Sequence, residues 1–412
     1  MGTNACYAMD AALQLDGKIV IGAYSWDFNE STGDFILIRL LDDGTLDNSF
    51  GTDGKVIVDS GGSDVAAKIK ILADDKLLLV GKSQDKFSAA RFNIDGTLDT
   101  TFGVNGWSLI GFPVGSISAA NAVAIQDDNK ILLGGYIYDN TTYSNQVAAV
   151  RLNPNGSPDM SFGTEGKVNF MFGAYDGASD GIAVQSDGKI ILGGTTMTDI
   201  SYDFAAVRLN NDGSIDNQFG NNGLATAGID GGIFNFARSM QLQSDDKIII
   251  SGLVNYGGTS DIAMIRFDKN GLLDNTFGNN RKVSTDINDR EDAAEAITLQ
   301  PDNKIILVGY SDGIDGGKMV IARYDNIILG TNDFQNEEFS LYPNPTEDQI
   351  TIELSDVSTN YQVTIYDILG KKVYSSEIHT LGNIDVSTYA TGTYLVKLHS
   401  NSKTSVLRFV KK

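Results

Sequence analysis

Few residues in this 412-residue sequence could carry nucleophilic or metal-dependent chemistry. The only histidines, His379 and His399, lie near the C-terminal end, and the only cysteine is Cys6. A Ser-His-Asp triad, an imidazole proton shuttle and a histidine-ligated metal site all need an imidazole, and a disulfide needs a second cysteine. We therefore predict a non-catalytic protein with no catalytic residue, no metal and no cofactor.

Carboxylates are the groups that could still do chemistry. The sequence has 53 Asp and Glu residues against 31 Lys and Arg, for a formal net charge of −22, and most of this charge precedes residue 330. Because glycosidases work with two carboxyl groups about 5 to 10 Å apart, a carboxylate-dependent glycan-processing enzyme is the alternative. A strongly negative charge also disfavours nucleic acid as a partner, because the phosphate backbone is negative as well.

Many of these acids recur at regular intervals together with arginines, which favours a structural role. The recurring positions are Arg39, Arg91, Arg151, Arg208, Arg266, Arg323, Asp47, Asp99, Asp159, Asp216 and Asp274. We predict hydrogen bonds or ion pairs between each arginine and its turn. Calcium is the alternative, because Asn-x-Asp-Gly-x-x-Asp places oxygen ligands on a loop, although its spacing departs from that of calcium loops.

These positions belong to a tandem repeat. The phrase Gln-x-Asp-Gly-Lys-Ile-Ile-Leu-Gly-Gly recurs with its lysines 54 to 59 residues apart, at Lys18, Lys76, Lys130, Lys189, Lys247 and Lys304. Within one repeat, alternating apolar and polar residues predict four short strands, for example at 122–126, 130–136, 146–152 and 167–170. The Asp-Gly and Asp-Asn pairs between the first two strands are typical of tight hairpin turns.

Six such units without helices predict an all-β, six-bladed β-propeller-like repeat domain over residues 1–328. Small residues such as Ala122 and Ala124 suit strands that converge on an axis, and a linear β-solenoid is the alternative. The sixth repeat lacks the Leu-Asp-x-x-Phe-Gly turn, so we expect its outer strand from residues 327–329 or from residues preceding Met1.

A polar linker at 329–338 precedes a second domain at 339–412. Its strands are predicted at 349–354, 362–367, 372–377, 392–399 and 405–410, which indicates a small immunoglobulin-like β-sandwich. No apolar run reaches the roughly 18 residues that a membrane-spanning helix needs. The first residues also lack the pattern of a signal peptide, so we expect a truncated N-terminus.

Two sets of loops differ in how strictly they repeat. In an antiparallel four-stranded blade, the turns between strands one and two and between three and four share one face. The loops on the other face vary and are rich in residues that stack on and hydrogen-bond sugars or peptides. The candidate ligand-binding residues are therefore Tyr24, Trp26, Asp27, Tyr136, Tyr138, Asp139, Tyr202 and Tyr256.

The repeat phrase, followed by Arg-Leu-Asn-x-Asp-Gly-x-Leu-Asp-x-x-Phe-Gly, resembles the delta-60 repeat of tandem bacterial surface and secreted proteins. The C-terminal domain resembles the type A sorting domain of type IX secretion through Tyr342, Pro343, Asn344, Pro345, Gly370, Gly392, Tyr394, Lys411 and Lys412. This resemblance implies the type IX secretion machinery as a partner, and a location outside the cell or on the outer-membrane surface of a bacterium.

The sequence as a whole predicts a secreted or cell-surface, monomeric propeller that binds a glycan or protein through its variable loops. The carboxylate-dependent enzyme and a purely structural surface repeat protein are the alternatives.

Overall fold

The computed structural model describes residues 5–113, 116–141, 143–172, 176–198, 201–278, 281–287, 290–313, 316–325, 339–354, 361–367, 371–378, 381–399 and 404–412. The chain forms two compact units, Met1–Leu329 and Gly330–Lys412. Every regular element in the described ranges is a β-strand, which confirms the all-β prediction. No helix in those ranges has the length and apolar character needed to cross a membrane.

In the described residues, the first unit consists of six consecutive antiparallel groups of strands, called here blades 1 to 6. A single parallel pair, Tyr202 with Phe234, joins blades 4 and 5 into one sheet. Blades 1 to 5 have four strands each, and the first strand of each blade is called the inner strand. The strands are β1 Ala5–Leu13, β2 Ile19–Trp26, β3 Phe35–Leu40, β4 Lys55–Val58, β5 Asp64–Ile71, β6 Leu77–Ser83, β7 Lys86–Phe92, β8 Trp107–Ile110, β9 Ser116–Ile125, β10 Ile131–Asp139, β11 Ser144–Leu152, β12 Lys167–Phe170, β13 Gly177–Val184, β14 Ile190–Met197, β15 Tyr202–Leu209, β16 Leu224–Ala227, β17 Phe234–Leu242, β18 Ile248–Asn255, β19 Ser260–Phe267, β20 Lys282–Thr285, β21 Glu291–Leu299, β22 Ile305–Gly313 and β23 Gly316–Tyr324.

The turn between the first two strands of each blade has the same backbone shape. The residue directly before the recurring lysine has a positive φ in all six blades: Gly17, Asp75, Asn129, Gly188, Asp246 and Asn303. Glycine, asparagine and aspartate tolerate this left-handed conformation better than other residues. The recurring Asp-Gly, Asp-Asn and Asp-Asp pairs therefore follow from the turn geometry.

The core lies between neighbouring blades. Leu78 and Ala89 of blade 2 pack with Ala120 of blade 3 in one buried cluster. Leu79, which points to the opposite face of the same strand, packs with Leu37 of blade 1 in another. Because successive strand residues point to opposite faces, each middle strand is apolar on both sides. Blade 2 is thus buried between blades 1 and 3.

Blade 6 has three strands in the described part of the chain. Met319 and Ile321 of β23 are 78% and 68% exposed, whereas the equivalent Phe87 and Ala89 of blade 2 are fully buried. The expected outer strand at 327–329 and the predicted linker at 329–338 lie outside the described residues. The last blade therefore exposes the face that the equivalent strand of blade 2 buries.

The second unit is a sandwich of two antiparallel sheets, with strand orders β24-β25-β28 and β27-β26-β29-β30. Its strands are β24 Phe339–Tyr342, β25 Gln349–Leu354, β26 Tyr361–Asp367, β27 Lys372–Ile378, β28 Leu381–Asp385, β29 Gly392–His399 and β30 Thr404–Lys411. Ile352 of the first sheet packs with Val363, Val396 and Phe409 of the second in one buried core.

Candidate functional site

The antiparallel order of strands gives each blade two ends with different loops. Turns between the first and second strands and between the third and fourth strands lie at one end, called the turn face. Loops between the second and third strands, and the connections between blades, lie at the other, called the loop face. The recurring arginines and aspartates lie at the turn face, and the predicted ligand-binding residues lie toward the loop face.

Each recurring arginine of blades 1 to 5 is clamped by residues of its own blade. Its Nε lies 2.7 to 2.8 Å from the Oδ2 of the recurring aspartate. Its guanidinium lies 4.4 to 5.0 Å from the ring centroid of a buried phenylalanine. The recurring lysine forms a second ion pair with the same carboxylate. In blade 6, Lys304 instead lies 3.8 Å from Asp325, two residues after Arg323.

The carboxyl groups in these clamps are held in the ionised form. Hydrogen bonds from the Ser49 hydroxyl and backbone lower the pKa of Asp47 to about 2, against the effect of burial. For Asp274, burial acts in the opposite direction but is outweighed by hydrogen bonds from Thr276 and by the charge of Arg266, so the pKa is also about 2. These aspartates are therefore occupied by structural partners and are not free to act as acids or bases.

The same arginines connect neighbouring blades. Nη1 of Arg91 donates to the carbonyl oxygen of Pro154 at 2.6 Å, and Nη1 of Arg208 donates to that of Lys269 at 2.8 Å. In the same way, Nη1 of Arg39 donates to the carbonyl oxygen of Ile94. Because each acceptor lies in the turn of the next blade, the clamp fixes the spacing between repeats as well as the turn within one repeat.

In the loop that is the candidate for calcium binding, an aspartate oxygen accepts hydrogen bonds from the loop itself. Asp95 Oδ1 accepts hydrogen bonds from the backbone N of Thr97 at 2.9 Å and from its hydroxyl at 2.7 Å. The same pattern occurs at Asp212 with Ser214. Within the described ranges, no group of three or more His, Cys, Asp and Glu side chains has the geometry to hold a metal ion.

Six of the predicted ligand-binding residues are distributed over blades 1 and 3. The Tyr24 ring stacks on Tyr7 with 5.2 Å between centroids, and burial raises the pKa of Tyr24. Asp27 accepts a hydrogen bond from the Asn29 backbone, and Trp26 is half-buried beside it.

In blade 3, Tyr136 and Tyr138 are half-buried on β10, and Asp139 accepts a hydrogen bond from the Thr141 backbone. The remaining two belong to blades 4 and 5: Tyr202 and Tyr256. Tyr256 is 40% exposed, with its hydroxyl 3.1 Å from that of Ser284. The structure does not gather the predicted residues into one site.

Tyr202 lines a cleft between blades 4 and 5. The cleft has a volume of 210 Å³ and is lined by Asn145, Asp176, Gly177, Ala178, Asp180, Thr195, Tyr202, Phe236, Ala237 and Arg238. The rings of Tyr202 and Phe236 lie 5.0 Å apart, and Phe234 lies 6.2 Å from Phe236. Asp176 accepts a hydrogen bond from the Asn145 amide side chain at 3.2 Å. The lining therefore combines two aromatic rings, those of Tyr202 and Phe236, called here the aromatic wall, with polar groups.

Two polar residues that line the cleft, Asp180 and Arg238, lie at an irregularity of strand pairing that recurs in every inner strand. A β-bulge interrupts the pairing with the second strand at the same place in all six blades. The extra residues, called bulge residues, are Met9, Ala67, Asn121, Asp180, Arg238 and Glu295. Sequence reasoning missed them. The available signal was that their chemical type changes from repeat to repeat while the position directly before them is Ala or Ser in every repeat.

Bulge residues of successive blades interact. Asn121 Nδ2 donates to the carbonyl oxygen of Ser179 at 3.1 Å, and Arg238 Nε lies 3.8 Å from Glu295 Oε1. Burial raises the pKa of Asp180 to about 7, an effect that Arg238 opposes and Glu295 increases. Near neutral pH, Asp180 can therefore either donate or accept a hydrogen bond.

Asp180 also faces a channel enclosed by the inner strands. The channel has a volume of 540 Å³, and residues from the inner strands of all six blades line it. Asp10 of blade 1 accepts a hydrogen bond from the Ile69 backbone of blade 2 at 3.0 Å, and its other carboxylate oxygen lies 3.7 Å from Lys68 Nζ. A shared channel of this kind is the arrangement expected of a propeller.

Family models match both units of the chain. A model described as "Domain of unknown function (DUF5122) beta-propeller" matches residues 14–50, 72–102, 126–162, 185–219 and 243–277. A model described as "Secretion system C-terminal sorting domain" matches residues 340–412. Each of the five repeat matches starts at the first turn of a blade and covers its next two strands. No curated protein matches the sequence.

Solved propeller structures resemble the chain only distantly. The β-propeller domain of the Trilobed protease from Pyrococcus furiosus is 7% identical, with 97% of this chain and 94% of that chain covered and a TM-score of 0.39. A PQQ-bound aldose sugar dehydrogenase from Streptomyces coelicolor is 12% identical, with 78% and 99% covered and a TM-score of 0.42. An endo-arabinase from Bacteroides thetaiotaomicron is 12% identical, with 64% and 95% covered and a TM-score of 0.38.

The repeat matches confirm the resemblance drawn from the repeat phrase, and the C-terminal match confirms the sorting domain. A type IX sorting domain directs its protein to the cell surface or to secretion, so the export route follows from residues 340–412. The chain therefore carries five repeats that match the DUF5122 beta-propeller model and ends in a segment that matches the secretion system C-terminal sorting domain.

Proposed function

We propose that this exported protein is a non-catalytic propeller that binds a saccharide in the cleft between blades 4 and 5. The observation that carries the proposal is the juxtaposition of the Tyr202 and Phe236 rings with Asp176, Asp180 and Arg238. Aromatic rings offer an apolar surface to the C–H groups of a sugar ring, and carboxyl and guanidinium groups hydrogen-bond to hydroxyls. The cleft presents both kinds of group, aromatic and polar, at the interface between two repeats.

The size of the cleft limits what it would hold. At 210 Å³ it is smaller than the roughly 300 to 1,000 Å³ of pockets that enclose drug-sized ligands. It would therefore accept one unit of a longer chain, with the remainder of the ligand lying over the loop face. Tyr256, which is 40% exposed on blade 5, does not line the cleft.

A glycan and peptide array probed with the whole chain tests this proposal. We expect binding to a restricted set of polysaccharides or oligosaccharides, with the same result whether or not calcium is added. Binding to peptides alone would replace the saccharide with a protein ligand. Binding to neither class would contradict the proposal and would favour a purely structural surface role. Light scattering on the purified chain tests the monomeric state that we also propose.

A carboxylate-dependent glycan-processing enzyme is the second candidate, and one observation favours it. Asp180 has a pKa of about 7, while Glu295, whose charge contributes to that value, is 49% exposed at the equivalent bulge position of blade 6. A protonated and an ionised carboxyl near each other are the requirement for general acid and base roles. If the protein is an enzyme, Asp180→Asn and Glu295→Gln should each lower hydrolysis of a bound glycan by at least about 100-fold.

A further inference from the structure

Large side chains of the sorting domain differ in how far they are buried. Among the residues near its two ends, Phe409, Tyr394 and Thr346 are 0%, 7% and 2% exposed. Tyr342 and Val410 are instead 45% and 39% exposed, although they are large and apolar. Motif residues therefore divide into a buried set that maintains the fold and an exposed set that the fold does not need.

Backbone contacts bring the two ends of the domain together. Thr346 N donates to the carbonyl oxygen of Val410 at 2.9 Å, and Lys412 N donates to that of Thr346 at 2.8 Å. The side-chain Oδ1 of Asn344 accepts a hydrogen bond from Val410 N at 3.0 Å. The opening Tyr-Pro-Asn-Pro-Thr segment and the final strand therefore form one continuous surface, although they are far apart in sequence.

Leu395 extends this surface along the neighbouring strand. Thr393 pairs directly with Val410, and Leu395, two residues further on, points to the same face of the sheet. Leu395 is 38% exposed, and Pro343 and Pro345 are exposed as well. We call these residues the terminal strip: Tyr342, Pro343, Pro345, Leu395 and Val410.

Basic residues flank the terminal strip. Lys412 is exposed at the end of β30, and Lys397 is half-buried on the same sheet face as Leu395. Lys411 is held differently, because it is 7% exposed and its Nζ donates to the carbonyl oxygen of Lys412 at 2.5 Å. Exposed apolar residues with a charged rim are typical of surfaces that bind a protein partner. The lysines of this rim are complementary to acidic groups on a partner, and the rim also contains one exposed carboxylate, Glu353, which accepts a hydrogen bond from the Tyr342 hydroxyl at 3.0 Å.

We propose that the terminal strip is the surface through which the sorting domain docks on the export machinery. Its partner is a component of that machinery that presents an apolar face bordered by acidic residues. A sorting domain must be recognised during export, and the strip joins both ends of the domain in its exposed apolar surface. The signal read by the machinery is thus a folded surface and not the linear C-terminal tail. This proposal is independent of the saccharide cleft.

An export assay tests the proposal with the full chain. The chain, fused to a cleavable signal peptide, is expressed in a bacterium that has a type IX secretion system, and surface, medium and periplasmic fractions are quantified. The double variant Leu395→Thr, Val410→Thr keeps strand propensity but removes apolar surface. We expect at least a tenfold loss of exported protein, accumulation in the periplasm and an unchanged melting temperature. Gln362→Thr, an exposed substitution on the same sheet, is the control and should export normally.

Export of the double variant at the wild-type level would overturn the proposal. If the double variant is less stable, the single variant Leu395→Ser replaces it, because Leu395 makes none of the bonds that join the two ends. Periplasmic retention of a stable Leu395→Ser chain supports docking through the strip, and normal export of that chain overturns it. Lys412→Glu tests the partner's charge: reduced export is expected, and unchanged export contradicts an acidic partner.

Discussion

The ring of Tyr202 lies 5.0 Å from the ring of Phe236, centroid to centroid. Tyr202 begins the third strand of blade 4, and Phe236 belongs to the inner strand of blade 5. The aromatic wall of the cleft is therefore built across two repeats. Its geometry depends on the contacts that hold neighbouring blades at a fixed spacing, which include the arginine clamps at the turn face.

Substitution of a clamp carboxylate should destabilise the propeller. Arg151 and Asp159 are 2% and 6% exposed, and their ion pair measures 2.7 Å. Because Asp159→Asn leaves a buried guanidinium without its counter-charge, we expect the free energy of unfolding to fall by about 3 kcal/mol. Urea denaturation measures the change. Asp128→Asn, at an exposed turn position, is the control and should change stability by less than about 0.5 kcal/mol. Equal effects of the two substitutions would contradict the clamp.

Asp180 should make stability depend on pH in a defined direction. Its folded-state pKa is about 7, above the ordinary value of 3.8. Below pH 3.8 the group is protonated in both states, whereas above pH 7 the folded state carries a charge that burial disfavours. Asp180 therefore lowers stability as the pH rises between these values.

Asp180→Asn should consequently raise the melting temperature near pH 8 and leave it unchanged near pH 3.5. Differential scanning calorimetry at the two pH values checks this. A shift of the same size at both pH values would show that the substitution acts through packing and not through the carboxyl charge.

The second glycine of the recurring Gly-Gly pair should be needed for the bulge. A Cβ added to Gly194 would overlap the carbonyl oxygen of Ala178, in the backbone just before the bulge residue Asp180. We expect Gly194→Ala to lower the free energy of unfolding by about 1 to 3 kcal/mol, because rigid backbone must move. A Cβ on Gly193 would meet the side chains of Met240 and Ile250, of which the nearer, Met240, is flexible, so Gly193→Ala should have the smaller effect in the same denaturation experiment.

Calcium should not be required for stability. The aspartate of each Asn-x-Asp-Gly loop that we have described, such as Asp95, uses its Oδ1 within the loop itself. We therefore expect the melting temperature of the whole chain to be the same in EDTA as in millimolar calcium. A rise of several degrees on calcium addition, reversed by EDTA, would show that the loops bind the cation after all.

Much of the fold was accessible from the sequence because the repeat made each signal visible several times. The strand predicted at 146–152 lies within β11, and those predicted at 349–354 and 392–399 coincide with β25 and β29. Strands β24 and β28 were not predicted. Their short segments, Phe-Ser-Leu-Tyr and Leu-Gly-Asn-Ile-Asp, offer too few alternating residues to stand out from a turn-rich background.

The candidate site was less accessible. The turn-face contacts follow from residues that recur, but the cleft depends on Asp180 and Arg238, which differ between repeats. A bulge adds one residue to a strand without a fixed sequence signature, so periodicity cannot locate it. The eight loop residues were chosen by their type and by their place in the variable loops, and only Tyr202 of them lines the cleft, since strand register and blade packing decide which side chains meet. Gly370 of the sorting motif lies outside the described residues.

The most direct test of the account is the affinity of the whole chain for its best array glycan, measured by titration calorimetry for wild type, Tyr202→Ala and Tyr256→Ala. Removing the Tyr202 ring deletes half of the aromatic wall, so we expect at least about a tenfold weaker Kd. Tyr256→Ala, outside the cleft, should stay within about threefold of wild type. Wild-type affinity in a folded Tyr202→Ala chain would contradict binding in the cleft between blades 4 and 5.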